Sequence, residues 1–293
     1  METIERVGVI GAGTMGNGIA QACAVVGLPA VMVDVDETAV ARGTRTIAGS
    51  LDRLVKKEKL TVDERDAALA CVRGSTAYGD LADCDLVIEA ATENLELKLK
   101  ILRQVDALAK PGALIASNTS SISITTLAAV TSRPASFLGV HFFNPVPMMA
   151  LVELVRGLQT SDATIAAATA FAKRLSKTPI VVKNSPGFVV NRLLCPMLNE
   201  AVFALQEGIA TAAEIDDVAR FRFGDARIVL ALDNQHRTAQ LVQVGFRRPF
   251  HQESSILLRF TQRQGKVRFP GSRNAFQERQ QIKGAKHVHS PFP

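Results

Sequence analysis

Apolar residues in the first two thirds of the chain fall into short continuous runs, separated by stretches with helical spacing. The runs cover residues 7–10, 30–33, 86–90, 113–116, 137–140, 151–155 and 180–182. Each run has the length of a buried strand, whereas intervening segments such as 95–108, closed by Pro111-Gly112, favour helices or turns. Strands that alternate with helices are typical of an α/β protein. We therefore predict an open, twisted α/β sheet that is doubly wound at least in its first half.

A different pattern begins after Pro186-Gly187. From there to Gly208 the apolar residues keep a helical period, at Val190, Leu194, Met197, Leu198, Ala201 and Leu205. This change predicts that a helical second domain starts near residue 186.

The first strand leads into the sequence GVIGAGTMGNGIAQ, residues 8–21, in which Gly11, Gly13 and Gly16 precede a helix. In a Rossmann-type turn the first glycine permits the tight turn, the second lets a pyrophosphate approach the backbone, and the third lets the helix pack on the strand. The second strand ends at Asp34, where such units place the acceptor for the adenosine ribose hydroxyls. No Arg follows before Arg42, so the pattern favours NAD over NADP.

Composition narrows the class of protein. The chain has 293 residues, 47% of them hydrophobic, which is enough for one large or two ordinary domains. We expect no membrane partner, because the chain begins without an apolar leader and has no uncharged apolar run of membrane-spanning length. The cysteines lack metal-ligand spacing and suit a reducing compartment, so we predict no metal site and a cytoplasmic protein.

His141 is the candidate for acid–base chemistry, since it is the only histidine in residues 1–219 and follows an apolar strand. A dinucleotide site implies hydride transfer, and oxidising an alcohol needs a base that accepts the hydroxyl proton near neutral pH. Glu153 lies in an otherwise apolar strand, where a carboxylate is costly unless it is paired, so we predict that it orients His141. The alternative is a hydrogen-bonded histidine of the core.

Five motifs carry a resemblance to a known family. The segments GAGTMGNGIAQ, DLVIEAATENLELK, ASNTSSISIT, HFFNPVPMMALVE and PGFVVNRLL together resemble the 3-hydroxyacyl-CoA dehydrogenase family, and most of all its short bacterial 3-hydroxybutyryl-CoA dehydrogenases. The likeness runs from about Val7 to Asp216 and is specific, because the motifs occur in the family's order and spacing. It implies a Rossmann-type NAD-binding domain over residues 1–185 and the start of a helical substrate and dimerisation domain over residues 186–219.

The resemblance also implies roles for residues at the reacting end of the substrate. His141 would be the general base that removes the 3-hydroxyl proton, and Glu153 would orient and stabilise it. Ser120 and Asn191 would hold the oxygens of the substrate, and Asn144 would help to fix the geometry of the site.

Other residues match positions at which the family binds its two nucleotide-containing ligands. Besides the glycines, the residues implied to touch NAD are Asp34, Glu93, Lys98 and Ser120. The residues implied to contact coenzyme A are Ser50 and Lys57.

Three of these residues have structural alternatives. Ser120 would cap a helix that begins near Ser123. Lys57 would lie on an ordinary solvated helix face, and Asn191 on the exposed face of its helix.

The last segment of the chain departs from the family. Residues 220–293 hold 14 Lys and Arg against 4 Asp and Glu, whereas residues 1–219 hold 20 against 24, so the net charge of +6 comes from the tail. The helices that complete the family's second domain are not recognisable there, so we predict an incomplete helical domain followed by an atypical, poorly ordered basic tail. We interpret the tail as the product of a reading frame shifted near residues 218–222, which scrambles the binary pattern. A nucleic-acid-binding extension is the alternative, but it would add to a complete second domain instead of replacing it.

The expected function is NAD-dependent oxidation of a 3-hydroxyacyl-CoA, with 3-hydroxybutyryl-CoA as the substrate, to the 3-oxoacyl-CoA, or the reverse reduction, impaired by the atypical C-terminus. The family's homodimer is in doubt here, because it depends on the missing helices. Two alternatives stay open: an NAD-binding protein of this scaffold with little catalysis, and a dehydrogenase of a free hydroxy or sugar acid such as gulonate. The joint presence of His141, Glu153, Ser120 and Asn191 favours an enzyme.

Overall fold

The computed structural model describes residues 3–223 and the segments 226–232, 239–246 and 256–258. The chain divides into two compact units, Met1–Val189 and Val190–Pro293.

The first unit contains eight strands and six α-helices among the described residues. The strands are β1 (Val7–Ile10), β2 (Ala30–Val33), β3 (Val72–Ser75), β4 (Leu86–Glu89), β5 (Leu114–Ser117), β6 (Phe137–Phe142), β7 (Leu151–Arg156) and β8 (Thr178–Lys183). The helices are α1 (Thr14–Val25), α2 (Glu37–Lys56), α3 (Val62–Ala70), α4 (Leu95–Leu108), α5 (Ile124–Ala128) and α6 (Asp162–Arg174).

All eight strands form one sheet, in the order β3-β2-β1-β4-β5-β6-β7-β8. Neighbouring strands run parallel except β6 and β7, which pair antiparallel. The chain moves outward from β1 through β2 and β3, and then in the other direction through β4 and the later strands. The order therefore reverses at β1, and in such sheets ligands bind at this reversal, outside the carboxyl ends of the strands. We call this end of β1, β2, β4, β5 and β6 the carboxyl edge.

Both faces of the sheet are covered, because successive side chains of a strand point to opposite faces. Val9 and Ile88 pack with α1, α2 and α6 in one buried cluster, whereas Val87 and Ile115 pack with α4 and α5 in the other. The predicted doubly wound α/β sheet is thus confirmed.

The helices of this unit begin in two ways. A side chain caps each of α2 to α6 by accepting the backbone N–H three residues on, and the capping residues are Asp36, Thr61, Asn94, Ser123 and Ser161. Helix α1 instead begins after Gly13, which has no side chain to cap it. The first N–H groups of α1 are therefore not occupied by a capping side chain, and such groups attract anions.

The sequence predicted most of these elements, with small shifts. Strand β5 lies one residue later than expected, and β6 continues to Phe142, so that His141 belongs to the strand itself. Strand β3 was not predicted, because Val72–Ser75 has no apolar run and contains Gly74. It pairs along one edge only, as the outermost strand next to β2, where burial is incomplete.

The second unit contains α7 (Val190–Gln206), α8 (Ala212–Phe223) and the strands β9 (Ala226–Leu232), β10 (Ala239–Phe246) and β11 (Ile256–Leu258). Helix α7 ends before Gly208, as predicted, and this glycine has a φ of +70°. Leu198 and Ala219 are buried between α7 and α8.

The strands of the second unit pair antiparallel in the order β11-β10-β9, and they were not predicted. Poor order was predicted for residues 220–293. Apart from the end of α8 and these three strands, that segment lies outside the described residues. Within the part of the chain that the structure describes, no helix is long and apolar enough to cross a membrane.

Candidate functional site

The turn between β1 and α1 gives each of its three glycines a distinct environment. Gly11 has a φ of +101°, and a Cβ on it would lie 2.8 Å from the Ala90 carbonyl oxygen. A Cβ on Gly16 would lie 1.7 Å from the Gly11 carbonyl oxygen, so the helix could not approach the turn. Around Gly13 no atom lies within 4 Å of a Cβ position. The turn is therefore closed at Gly11 and Gly16 and open at Gly13, which fits a pyrophosphate above Gly13.

Asp34 is bound to the glycine turn. Its Oδ2 accepts the Ala12 backbone N–H at 2.6 Å, and its Oδ1 accepts the N–H of Val35 at 2.7 Å. Burial raises the pKa of Tyr78, and the negative charges of Glu89 and Asp34 raise it further, so the phenol stays neutral beside these carboxylates. Asp34 thus holds a half-buried position at the end of β2, beside the turn.

His141 and Glu153 lie opposite each other in the antiparallel register of β6 and β7. The His141 Nδ1 is 2.7 Å from the Glu153 Oε2, and the side chains are 7% and 0% exposed. The other carboxylate oxygen, Oε1, accepts the Val189 backbone N–H at 2.9 Å. A carboxylate can only accept, so Nδ1 carries the proton in this pair, and Nε2 is the nitrogen that can take up another. The structure thus brings these two side chains together, and the role of Glu153 in orienting His141 stays a prediction.

Two aromatic rings stand beside the imidazole. The ring centroids of Phe143 and Phe188 lie 4.4 and 5.6 Å from that of His141. Phe188 has a φ of +48°, which is strained for a bulky residue, and it immediately precedes the Val189 N–H bound to Glu153. The turn before α7 is thus held against the His141–Glu153 pair at a cost in backbone strain.

The loops after β4 and β5 are joined by Glu93. Its Oε2 accepts the Thr119 hydroxyl at 2.7 Å, and its Oε1 accepts the Ser120 backbone N–H at 3.2 Å. The Asn118 side-chain oxygen accepts the Phe142 N–H at 2.9 Å, which links the same loop to the end of β6. Ser120 is therefore held at the carboxyl edge, in a loop that is tied to the end of the strand that carries His141.

Ser120 does not cap a helix, so that alternative was wrong. The cap of α5 is Ser123, whose hydroxyl accepts the Thr126 backbone N–H at 3.3 Å.

Lys98 is buried and paired with an acid, which does not suit the direct contact with NAD that the resemblance implies. Its side chain is 1% exposed, and its Nζ is 2.5 Å from the Oε2 of Glu89, which is 0% exposed. Glu89 is the last residue of β4, and the sequence analysis did not single it out. A carboxylate in an otherwise apolar strand was the available signal, the same one that pointed to Glu153.

The remaining predicted residues are spread over the molecule. Asn144 is exposed in the turn after β6 and precedes a cis peptide bond to Pro145. Ser50 is half-buried on α2, and Lys57 is exposed just beyond the end of that helix. Asn191 is half-buried in the first turn of α7 and belongs to the second unit. Among the side chains that the structure describes, no group of three or more His, Cys, Asp or Glu residues could hold a metal ion.

Two family models match the chain in succession. The model for the NAD-binding domain of 3-hydroxyacyl-CoA dehydrogenase matches residues 6–185, and the model for the C-terminal domain of the same enzymes matches residues 187–232. The chain belongs to the 3-hydroxyacyl-CoA dehydrogenase family. The match of the NAD-binding domain includes the glycine turn, Asp34, His141 and Glu153.

Named relatives of this family are similar over about three quarters of the chain. A 3-hydroxybutyryl-CoA dehydrogenase of Bradyrhizobium diazoefficiens is 49% identical over 213 residues, which is 73% of each chain. The crystal structure of (S)-3-hydroxybutyryl-CoA dehydrogenase PaaH1 from Ralstonia eutropha is 64% identical with a TM-score of 0.73, covering 74% of this chain and 77% of that one. FadB2 of M. tuberculosis is 42% identical with a TM-score of 0.74, covering 76% and 79%.

The environments of Gly16 and Gly13 predict that an added methyl group lowers stability at the first position and NADH affinity at the second. We expect Gly16→Ala to lower the free energy of unfolding by about 1–3 kcal/mol or more, because the Gly11 carbonyl cannot move aside. Gly13→Ala meets no protein atom, so stability should change by less than about 0.5 kcal/mol while NADH affinity falls. Denaturant unfolding and NADH fluorescence titration measure the two effects. Unchanged NADH affinity in Gly13→Ala would show that the pyrophosphate does not bind there.

Proposed function

We propose that this chain oxidises a 3-hydroxyacyl-CoA, with 3-hydroxybutyryl-CoA as the substrate, to the 3-oxoacyl-CoA with NAD, or catalyses the reverse reduction. The observation that carries the proposal is the buried His141–Glu153 pair on a strand that ends at the carboxyl edge, the same edge at which the glycine turn leaves β1. The names of the similar proteins from Bradyrhizobium and Ralstonia support the choice of substrate.

In this proposal His141 is the general base. Its Nε2 takes the proton of the 3-hydroxyl group as the C–H bond at the same carbon breaks and the carbonyl forms. NAD supplies the acceptor for the hydride. Glu153 keeps Nδ1 protonated and stabilises the imidazolium that results, since its carboxylate lies 2.7 Å from Nδ1. In the reverse direction the imidazolium returns the proton to the forming alcohol.

Ser120, Asn191 and Asn144 are proposed to position the substrate. The hydroxyl of Ser120 and the amide of Asn191 would bind the substrate's oxygens, and Asn144 would fix the geometry of the turn that follows His141. The hydrogen bond from the Ser120 N–H to Glu93 supports this, because it fixes the serine backbone at the carboxyl edge.

For the cofactor, we propose that the backbone at Gly13 would hold the pyrophosphate and that Asp34 would accept the adenosine ribose hydroxyls. Glu93 and Ser120 would contact NAD from the loops after β4 and β5. The predicted direct contact of Lys98 is left out of this proposal, since that side chain is 1% exposed and paired with Glu89.

Coenzyme A is proposed to contact Ser50 and Lys57. Ser50 lies on α2, and Lys57 follows the last residue of that helix, seven positions or about two helical turns further along the chain. The basic residues Arg53 and Lys56 in the last turn of that helix add positive charge for phosphate groups, although they equally suit the negative end of the helix dipole.

We also propose a cytoplasmic location. All four cysteines are free, and burial raises the pKa of Cys23 to about 12 and that of Cys84 to about 11. Buried thiols of this kind act as core residues, which suits a reducing compartment. A homodimer is not part of the proposal, because the helices through which the resemblance implies it are not recognisable in the sequence.

Three assays separate the proposed function from its alternatives. Oxidation of NADH in the presence of acetoacetyl-CoA is the expected activity. Reduction of NAD by gulonate without turnover of acetoacetyl-CoA would point to a sugar-acid dehydrogenase. Saturable binding of NADH with neither activity would point to an NAD-binding protein with little catalysis.

Removing the imidazole should affect turnover and spare cofactor binding. We expect His141→Ala to lower kcat by about 10²- to 10⁴-fold, the usual contribution of a general base, with the Kd for NADH roughly unchanged. Glu153→Gln should also lower kcat, because one of the two acceptor oxygens becomes an NH2 donor, but by less, because the imidazole is still present. Steady-state kinetics and NADH titration provide the comparison.

The control for His141→Ala is its unfolding midpoint, with His141→Gln as a second variant that keeps more of the side chain's volume. If both variants lose stability and those molecules that stay folded turn over normally, His141 is a core histidine and not the base.

The carboxylate of Asp34 should discriminate between the two nicotinamide cofactors. We expect Asp34→Ala to weaken NADH binding and to reduce the preference for NADH over NADPH. The substitution removes the carboxylate that is proposed to accept the ribose hydroxyls and to repel a 2′-phosphate. Titration of both cofactors measures this ratio. An unchanged ratio would contradict the ribose assignment. Asp36→Ala, which removes the cap of α2 two residues further on, is the matched control.

A further inference from the structure

A buried polar cluster lies directly beneath the loops at the carboxyl edge and has no part in the proposed chemistry. Its members are Glu89, Lys98 and Ser117, which are 0%, 1% and 0% exposed. The Glu89 Oε2 accepts from the Lys98 Nζ at 2.5 Å and from the Ser117 hydroxyl at 2.8 Å. Lys98 also reaches the Ser117 Oγ at 3.3 Å. We call these three residues the Glu89 cluster.

The cluster joins three elements at one point. Glu89 and Ser117 are the last residues of β4 and β5 and face each other in the register of the two strands. Lys98 comes from the first turn of α4, where its backbone N–H bonds to the Asn94 carbonyl. An apolar cluster of the same volume would hold these elements together without the cost of burying two charges. A charged cluster adds direction, because each hydrogen bond fixes an angle as well as a distance.

Hydrogen bonds lead from the cluster into both loops of the candidate site. The Glu89 Oε1 accepts the Ala91 N–H at 2.9 Å, which holds the start of the loop that carries Glu93. The Ser117 Oγ accepts the Thr119 N–H at 3.3 Å, which holds the loop that carries Ser120.

The glycine turn rests against the first of these loops. The Cα of Ala91 lies 2.8 Å from the position of a Cβ on Gly11, so a small shift of Ala91 would reach the turn. The Glu89 cluster is therefore placed to set the positions of the two loops and of the turn between which NAD is proposed to bind.

We propose that Glu89, Lys98 and Ser117 are positioning residues for the cofactor: they touch neither NAD nor substrate and set NAD affinity by fixing the loops 90–94 and 118–121. This inference rests on the proposed function, in which these loops bind NAD. It gives Lys98 a role through Glu89 in place of a direct contact.

The sharpest test is Ser117→Ala, which removes one hydroxyl and keeps the Glu89–Lys98 ion pair. We expect the Kd for NADH to rise by about 3- to 10-fold, the effect of losing one or two buried hydrogen bonds, and the KM for NADH to rise with it. The kcat at saturating NADH should fall less than the KM rises. Fluorescence titration and steady-state kinetics at a temperature well below the unfolding midpoint give these values.

Thr131→Val is the matched control, because it removes another buried hydroxyl, one that bonds only to the Ala128 carbonyl within the same turn at 2.9 Å. It should lower the unfolding midpoint without changing the Kd for NADH. If Ser117→Ala likewise lowers the unfolding midpoint and leaves the Kd for NADH unchanged, the cluster only stabilises the fold and the proposal fails.

The ion pair is tested by a cycle of variants. Glu89→Gln and Lys98→Met each leave one buried charge uncompensated, so both should unfold more readily, whereas the double variant is neutral and should recover stability. We expect the double variant to bind NADH more weakly than the original chain even when its unfolding midpoint is restored. Recovery of full NADH affinity in the double variant would overturn a positioning role for the ion pair.

These measurements distinguish the inference from the proposed function. Because the Kd for NADH needs no turnover, a chain that binds NADH but does not reduce acetoacetyl-CoA can still show the effect of Ser117→Ala. Conversely, normal turnover with an unchanged Kd in Ser117→Ala contradicts the positioning role alone.

Discussion

A carboxylate taken out of water must be met by hydrogen-bond donors, and three carboxylates at the carboxyl edge are subject to this constraint. Each accepts one backbone N–H from a neighbouring segment: Asp34 from Ala12, Glu89 from Ala91, and Glu153 from Val189. Because these N–H groups belong to the glycine turn, to the loop after β4 and to the turn before α7, satisfying the carboxylates also fixes the segments that surround the site. The architecture of the candidate site thus follows from where these three acids lie on or beside their strands.

The same constraint explains why the three acids differ in what else they bind. Glu153 uses its second oxygen to hold an imidazole, whose protonation changes during the proposed reaction. Glu89 uses its second oxygen for the Lys98 ammonium and the Ser117 hydroxyl, neither of which takes part in the proposed proton transfer. Asp34 is half-buried at the surface of the turn, where a ligand can still reach it. The proposed roles of the three acids in proton transfer, in support of the loops and in ligand binding therefore differ with the depth at which each acid is buried.

Sequence reasoning found the parts of this arrangement that local pattern encodes. The glycine spacing, the position of Asp34 and the lone His141 with Glu153 were all visible, because strand and helix periods place them at strand ends. Glu89 was overlooked, because its significance depends on burial and on a lysine nine residues later in a helix. Ser120 was considered as an alternative cap for the helix that Ser123 caps, since a run of serines and threonines does not by itself show which member begins the helix.

Other features could not be read locally because they depend on tertiary pairing. The antiparallel direction of β7 against β6, which brings His141 opposite Glu153, is a property of how the hairpin closes and not of either strand's composition. The three strands of the second unit were likewise missed, since the sequence analysis took the loss of helical period after residue 219 as a loss of order.

The division of the chain into two units has a consequence for how binding and turnover depend on each other. The glycine turn, Asp34, the Glu89 cluster and the His141–Glu153 pair all belong to Met1–Val189, which has a buried cluster on each face of its sheet. Asn191 belongs to the second unit, whose described buried hydrophobic residues are Leu198 and Ala219. Cofactor binding therefore draws on residues of the first unit, whereas the proposed hold on the substrate's oxygens also draws on Asn191 of the second. Because a misplacement of about 1 Å can cost roughly 10²-fold in rate, we expect a change that displaces Asn191 to lower turnover before it lowers NAD affinity.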